Sequence, residues 1–362
     1  MNKSVWLFSK KTDLIFLFLP IWIVWFWAFS NDLENKSLPT WAWFVFILGI
    51  DVSHVWSTIF RTYLNKNDRL NHKKSIRFVP LILLPILFVL AVYSTHLFWA
   101  ILAYIAVYHF MKQQYGFLAL FSFKNQEKHS SLKKSFDKWV IYTGMIYPVI
   151  YWHFDKERSF NWFIQHDFIP LFKLIDDIQF FSYLNVVYFL LLAVWIISET
   201  IAAKNGKFAT GKVLWVTSTY LNWYLGIIFF NSDYIFSVTN VVAHGVPYLV
   251  LIIKYKIGEE EIEQGSKLKF FDIILNTFSV LMLVFFIAFF EEYFWDMLVN
   301  LERTEIFETI SPYWINIENS PVLIALCTAI LTLPQVTHYV LDGFIWKFNN
   351  TNPNLKKIIE NG

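Results

Sequence analysis

Four of the nine histidines in this 362-residue chain, His54, His109, His244 and His338, fall inside long apolar runs. An imidazole in hydrocarbon needs partners for both ring nitrogens, so each should face the interior of a helix bundle. Four that face inward at related depth can converge on one metal ion or hand protons along a path. The remaining histidines, His72, His96, His129, His153 and His166, fall in loops or at the ends of apolar runs, where they need no special account.

Each of the four has a polar residue about one helical turn away. Asp51 precedes His54 at i−3, Gln113 follows His109 at i+4, Asn240 precedes His244 at i−4, and Asp342 follows His338 at i+4. These spacings put each pair on one helix face, where a ligating histidine can give its second N–H to an acceptor. Asp51 and Asp342 are the carboxylates able to join the ligand set or take a catalytic role, with Gln113 and Asn240 behind the ligands. Arg61, two turns below His54, and Lys112, nearly one turn below His109, are expected to snorkel to headgroups, with recognition of an anionic group as their functional alternative.

The elements that must position these residues are set by composition. The chain is 56% hydrophobic, 16% charged and 20% aromatic, and its mean hydropathy is +0.45. A soluble domain is about a quarter charged, so these values exclude a water-soluble fold. A net charge of +2 is too small to suggest nucleic acid. The single cysteine, Cys327, sits in an apolar run, which leaves no intrachain disulfide and no Cys-based metal framework.

The sequence therefore predicts an all-α, polytopic transmembrane bundle forming a single domain over residues 1–362. Its ten spans are expected at roughly 13–30, 40–63, 78–95, 97–121, 138–153, 180–198, 213–231, 234–254, 272–290 and 321–346. Lys and Arg gather in alternate connections: Lys10 and Lys11, then Arg69 to Arg77, Lys124 to Lys134, Lys204 to Lys212, Lys254 to Lys269, and Lys347 to Lys357. The positive-inside rule makes these cytoplasmic and places both termini there. All four deep histidines then lie on even-numbered spans of one direction, roughly 15–26 Å from the outer surface of a layer about 30 Å thick. The N-terminal apolar stretch lacks a convincing cleavage site and reads as a retained first span. The connections 154–179, with Phe160, Trp162 and Phe163, and 291–320, with Phe294, Trp295 and Trp314, look like interfacial helices capping the outer face.

Dinucleotide, P-loop, zinc-protease, serine-hydrolase and Cys-x-x-Cys motifs are all missing. So are the clustered histidine boxes of two-metal membrane desaturases, which leaves one imidazole per helix around a single metal. The segment Asp51-Val-Ser-His54 resembles the early Asp-x-Pro-His segment of the Brp/Blh-like bacterial membrane carotene dioxygenases, and Tyr108-His109-Phe110 resembles that family's internal His-Phe segment. Ser53 stands where the family has Pro, and Val55 where it has Gly. The resemblance implies Fe(II) held by His54, His109, His244 and His338, open positions for dioxygen, and a long apolar substrate, isoprenoid or acyl, arriving from the lipid. Zinc is the other metal such a set would take.

Two further readings use the same residues. A secondary transporter or proton-coupled carrier would use the histidines with Asp51, Asp342 and Arg61 at the midplane. Paired histidines ligating haem are the second. Pro247, three residues after His244, and Pro334, four before His338, free backbone carbonyls near the site under any of the three.

Overall fold

The computed structural model describes residues 5–34, 36–126, 130–158, 161–171, 178–203, 208–307 and 320–361. All regular structure among the described residues is helical. Long helices occupy every expected segment: α1 (Lys10–Ser30), α2 (Thr40–Arg61), α3 (Lys73–Tyr93), α4 (Thr95–Lys124), α5 (Ser131–Phe154), α6 (Ile178–Ala203), α7 (Thr210–Trp223, continued by π-helical turns over Tyr224–Phe229), α8 (Asp233–Gln264), α9 (Phe270–Asn300) and α10 (Pro321–Ile345). Among them, seven are long and apolar enough to cross a membrane: α1, α2, α3, α6, α8, α9 and α10. The other three dilute their apolar runs with polar residues, as in Lys112-Gln113-Gln114 of α4 and Lys133, Lys134, Asp137 and Lys138 of α5.

The exposed faces of these helices are strongly apolar. Leu81 and Val89 on α3, Val186 and Leu190 on α6, and Phe278 and Phe286 on α9 are all exposed. Only 17% of the most apolar stretch of α3 or α9 is buried, against 78% for α8. Helices this apolar and this exposed need hydrocarbon as their solvent, and helices satisfy their own backbone groups there.

The chain divides into two compact units. One comprises residues 1–38, 103–247 and 359–362, the other 39–102 and 248–358, so the boundaries fall within α4 and α8.

The first unit is packed around aromatic rings, with Trp25, Trp195, Trp223, Tyr188 and Tyr220 almost fully buried. Gly144 on α5 lets the Tyr220 ring of α7 come within 2.7 Å of where a Cβ would stand. The Tyr188 hydroxyl lies 2.9 Å from the carbonyls of Gly144 and Tyr220, and Tyr220 donates to the Val140 carbonyl at 2.8 Å. These are interhelical bonds of the kind that hold helices together when lipid supplies no hydrophobic drive. A closed charge group ties α5, α6 and α7: Lys212 Nζ lies 2.9 Å from Asp137 and 3.2 Å from Glu199, Lys133 Nζ lies 2.7 Å from Asp137 and 2.5 Å from Glu199, and Trp195 Nε1 donates to Asp137 at 2.8 Å. Two cations and two carboxylates balance, which is the condition for burying them.

The connection after α5 departs from the expected interfacial helix. Its described part is a tight loop in which Asp167 Oδ2 accepts from the N–H groups of Trp162, Phe163 and Ile164 at 2.6–3.2 Å. Phe160 and Trp314 lie outside the described residues. After residue 291 the chain also departs from expectation, because α9 runs on through π-helical turns to Asn300. Asp296 then stops it, accepting from the N–H groups of Glu302 at 2.7 Å and Arg303 at 2.5 Å.

In the second unit α3 packs along α10 and α9 along α2. α2 changes its winding within one span: π-helical over Trp43–Val52, α-helical over Ser53–Ser57, and 3₁₀ over Thr58–Arg61. Mid-helix π turns are rare and favour functional positions, and this one ends at Val52, two residues before His54.

Replacing Lys212 by Met is expected to lower stability by about 3–5 kcal/mol, since it leaves two carboxylates to one lysine in a buried group. Thermal unfolding in detergent measures it; an unshifted midpoint would show that Lys133 alone suffices.

Candidate metal centre

The four histidines fall into two ring-contact pairs. In the second unit His54 on α2 and His338 on α10 are 2% and 1% exposed, and their rings lie 5.2 Å apart at 82°. In the first unit His109 on α4 and His244 on α8 are 4% and 1% exposed, with rings 5.2 Å apart at 80°. All four offer one ring nitrogen to a common cluster in which every such nitrogen lies within 4.8 Å of the others. The four histidines therefore form a cluster that can bind a metal ion.

The donor chemistry fits. Two imidazole nitrogens on one ion, at about 2.0–2.1 Å each, stand no more than about 4.2 Å apart. Binding would draw the widest pair in by roughly half an ångström, a change within the reach of small side-chain rotations. The neutral imidazole is the form that ligates.

The neighbours of each histidine are partly those expected. Asp51 Oδ1 lies 3.5 Å from His54 Nδ1, and Asp342 Oδ1 3.6 Å from His338 Nδ1. Both carboxylates are brought to the site, Asp51 at the limit of hydrogen-bond distance and Asp342 beyond it. Closer to His338 is Thr58 Oγ1, 2.7 Å from Nδ1. Thr58 in turn lies 3.0 Å from the Tyr248 hydroxyl, which donates to Asp342 Oδ1 at 2.6 Å.

Gln113 is drawn instead to the backbone, its Nε2 donating to the His244 carbonyl at 2.8 Å. Gln114 Nε2 reaches the Ala243 carbonyl at 3.5 Å. Pro247 accounts for the second contact: without an N–H it leaves the carbonyl four residues back, that of Ala243, without its helical partner. Asn240 donates to the Phe236 carbonyl at 3.2 Å and accepts from Asn222 at 3.4 Å. Phe110 stacks flat on His244, 3.9 Å away at 17°, and Trp162 from the loop after α5 packs edge-on over Phe110 at 5.4 Å.

Arg61 corrects an expectation. It does not snorkel: it is fully buried, ion-paired with Asp68, and donates to the Ile345 carbonyl at the end of α10. It also donates to Asn352 Oδ1 at 3.0 Å and sits 3.9 Å over the Tyr255 ring. Asn352 caps the same helix end, donating to the carbonyls of Phe344 at 2.9 Å and Lys347 at 2.8 Å. The short helix Lys66–Asn71 folds back after α2 and delivers Asp68, which gives the guanidinium a partner inside the protein. Burial pushes the Asp68 carboxyl above its usual range despite Arg61 beside it. The clamp joins the ends of α2 and α10, and so fixes the spacing of His54 and His338. Lys112, by contrast, is exposed.

Thr58, Tyr248, Gln114 and Phe110 are site residues that sequence reasoning missed. Thr58 follows His54 at i+4 and Tyr248 follows His244 at i+4, so the one-turn spacing that found Gln113 and Asp342 would have found them had hydroxyls been counted as partners. A half-open cavity of about 220 Å³ adjoins His338 and Thr58, walled by Val55, Ile59, Tyr63, Pro80, Leu333 and Leu341.

Set against known protein families, curated proteins and solved structures, the chain matches none.

Changing Gln113 to Leu is expected to cost about 0.5–1.5 kcal/mol by removing its hydrogen bond to the His244 carbonyl. Chemical denaturation monitored by tryptophan fluorescence measures the loss, and wild-type stability in the variant would remove Gln113 from this role.

Proposed function

We propose that this chain is an integral membrane metalloenzyme, an iron(II)-dependent oxygenase that acts on a lipid-soluble isoprenoid or acyl substrate within the bilayer. The observation that carries this reading is the buried cluster of His54, His109, His244 and His338. The alternating charge of the connections supports ten spans with both termini in the cytoplasm. The resemblance of the segments around His54 and His109 to the Brp/Blh-like carotene dioxygenases supports iron over zinc and a polyene-like substrate.

Iron(II) bound by this all-imidazole set supplies a cationic, redox-active centre able to activate dioxygen. The protein's own residues do the rest. Four neutral donors on separate helices hold the ion, while Asp51 and Asp342 place negative charge beside His54 and His338. Apolar walls around His338 and Thr58 receive the substrate and exclude water. At about 220 Å³ the cavity is smaller than the roughly 300–1,000 Å³ typical of drug-sized sites, so it suits one segment of a long molecule whose remainder stays in lipid.

Elemental analysis of detergent-purified protein, reconstituted anaerobically with Fe(II), is expected to give near-stoichiometric iron. It should be lost in each of His54→Ala, His109→Ala, His244→Ala and His338→Ala. Zinc retained in preference to iron would favour a different chemistry at the same site. No bound metal in the wild type would end the oxygenase reading and move the carrier reading to first place.

Narrowing the cavity tests the substrate half of the proposal. Leu333→Trp is expected to keep its metal while oxygen uptake with a carotenoid in micelles falls at least tenfold. Undiminished uptake would place the substrate elsewhere.

A further inference from the structure

The bonds around His338 run in one direction. The Tyr248 hydroxyl donates its single proton to Asp342 Oδ1, 2.6 Å away. The Tyr248 oxygen is then left as an acceptor. It takes the Thr58 hydroxyl proton across 3.0 Å, and it also accepts from Trp346 Nε1 at 3.4 Å. With its proton committed to Tyr248, Thr58 Oγ1 can only accept from His338 Nδ1, 2.7 Å away. A ring nitrogen that donates carries the hydrogen, so the other nitrogen, Nε2, carries the lone pair.

We propose that the chain Asp342–Tyr248–Thr58 fixes His338 as its Nδ1–H tautomer and thereby makes Nε2 the ligand atom. Tyr248 and Thr58 are positioning residues for the centre, and Asp342 sets the direction from two bonds away. The histidine's supporting acceptor is a hydroxyl from a different helix rather than the carboxylate one turn along its own. The inference rests on the metal-centre reading for its functional meaning, while the tautomer itself is a property of the protein without metal.

Geometry makes the assignment specific. The direct His338–Asp342 separation of 3.6 Å is too long for a hydrogen bond. Every member of the chain is buried or nearly so: Thr58 is 5% exposed, Tyr248 1% and His338 1%. Water therefore does not compete to reverse the order. Trp346 adds a second donor to the Tyr248 oxygen, which reinforces that oxygen's acceptor role.

The test uses the full-length protein carrying ¹⁵N-labelled histidine rings, free of metal, in detergent or nanodiscs. The His338 signals are identified by their disappearance in His338→Asn. Long-range ¹H–¹⁵N correlation is expected to show Nδ1 as the protonated nitrogen in the wild type and in Thr58→Ser. Thr58→Val and Tyr248→Phe are expected to give a mixture of tautomers. The same two variants should bind Fe(II) or Zn(II) 10- to 100-fold more weakly, with Thr58→Ser near wild type.

An Nε2–H tautomer in the wild type overturns the proposal outright. So does an unchanged Nδ1–H tautomer in Thr58→Val or, should that variant fail to fold, in Tyr248→Phe. Absence of metal binding alongside the Nδ1–H tautomer would instead strike the metal-centre reading and leave the hydrogen-bond assignment standing.

Discussion

A polar group buried in hydrocarbon has no water to fall back on, and nearly every feature of this protein follows from the need to satisfy such groups internally. The histidine rings, the Arg61 guanidinium and the Lys212 ammonium are each almost wholly buried. His338, Arg61 and Lys212 are met by hydrogen-bonding partners drawn from other helices. Arg61 shows what this demands: a carboxylate from the next short helix, the carbonyl end of α10, an asparagine from beyond α10 and a tyrosine face. The group that would otherwise be the costliest in the second unit becomes its principal fastening.

The two histidine pairs are supported by different means. His338 is held through side chains, by a chain of hydroxyls ending in Asp342, and the Arg61 clamp sets the distance between the helices beneath it. His244 is held through its backbone and its ring face, by Gln113 on its carbonyl and Phe110 stacked upon it. Pro247 adds a further attachment point: a proline in α8 opens the backbone ladder at the Ala243 carbonyl, which the neighbouring Gln114 of α4 reaches. In α2 the corresponding irregularity is the change from π to α to 3₁₀ winding, which re-aims successive side chains within one span. Irregular backbone at membrane depth survives where protein surrounds it, and both cases sit beside a histidine.

Much of the fold was legible because apolar run length is a direct consequence of bilayer thickness. Every expected segment is helical in the structure, and seven of the helices have the length and apolar character to cross. The four histidines were legible for a similar reason, since a titratable ring in an apolar run has few incidental explanations. The partners were less legible. Asp342 and Asp51 were found by one-turn spacing and are nearby, but the closest contact to His338 is Thr58 from another helix, and a local periodicity argument has no access to which helices are neighbours. Arg61 was misread because snorkelling is decided by whether an internal partner exists, and Asp68 reaches it only through a fold-back that lies past the apolar run. The segment after residue 291 was misread because its carboxylates suggested a break, whereas helix continues until Asp296 supplies the stop.

Charge balance gives the strongest physical reason to regard the cluster as a metal centre rather than polar adhesive between helices. Four neutral imidazoles and a divalent ion carry two positive charges, which hydrocarbon would not tolerate alone. Asp51 and Asp342 stand 3.5 and 3.6 Å from the Nδ1 atoms of His54 and His338. Two ionised carboxylates would offset a divalent ion, and neither would need to enter the ligand set to do so. Hydrogen bonding between helices requires no such pair of acidic groups, because neutral imidazoles and hydroxyls satisfy one another. In the proposed centre the same two carboxyl groups would supply the counter-charge that lets a cation reside there.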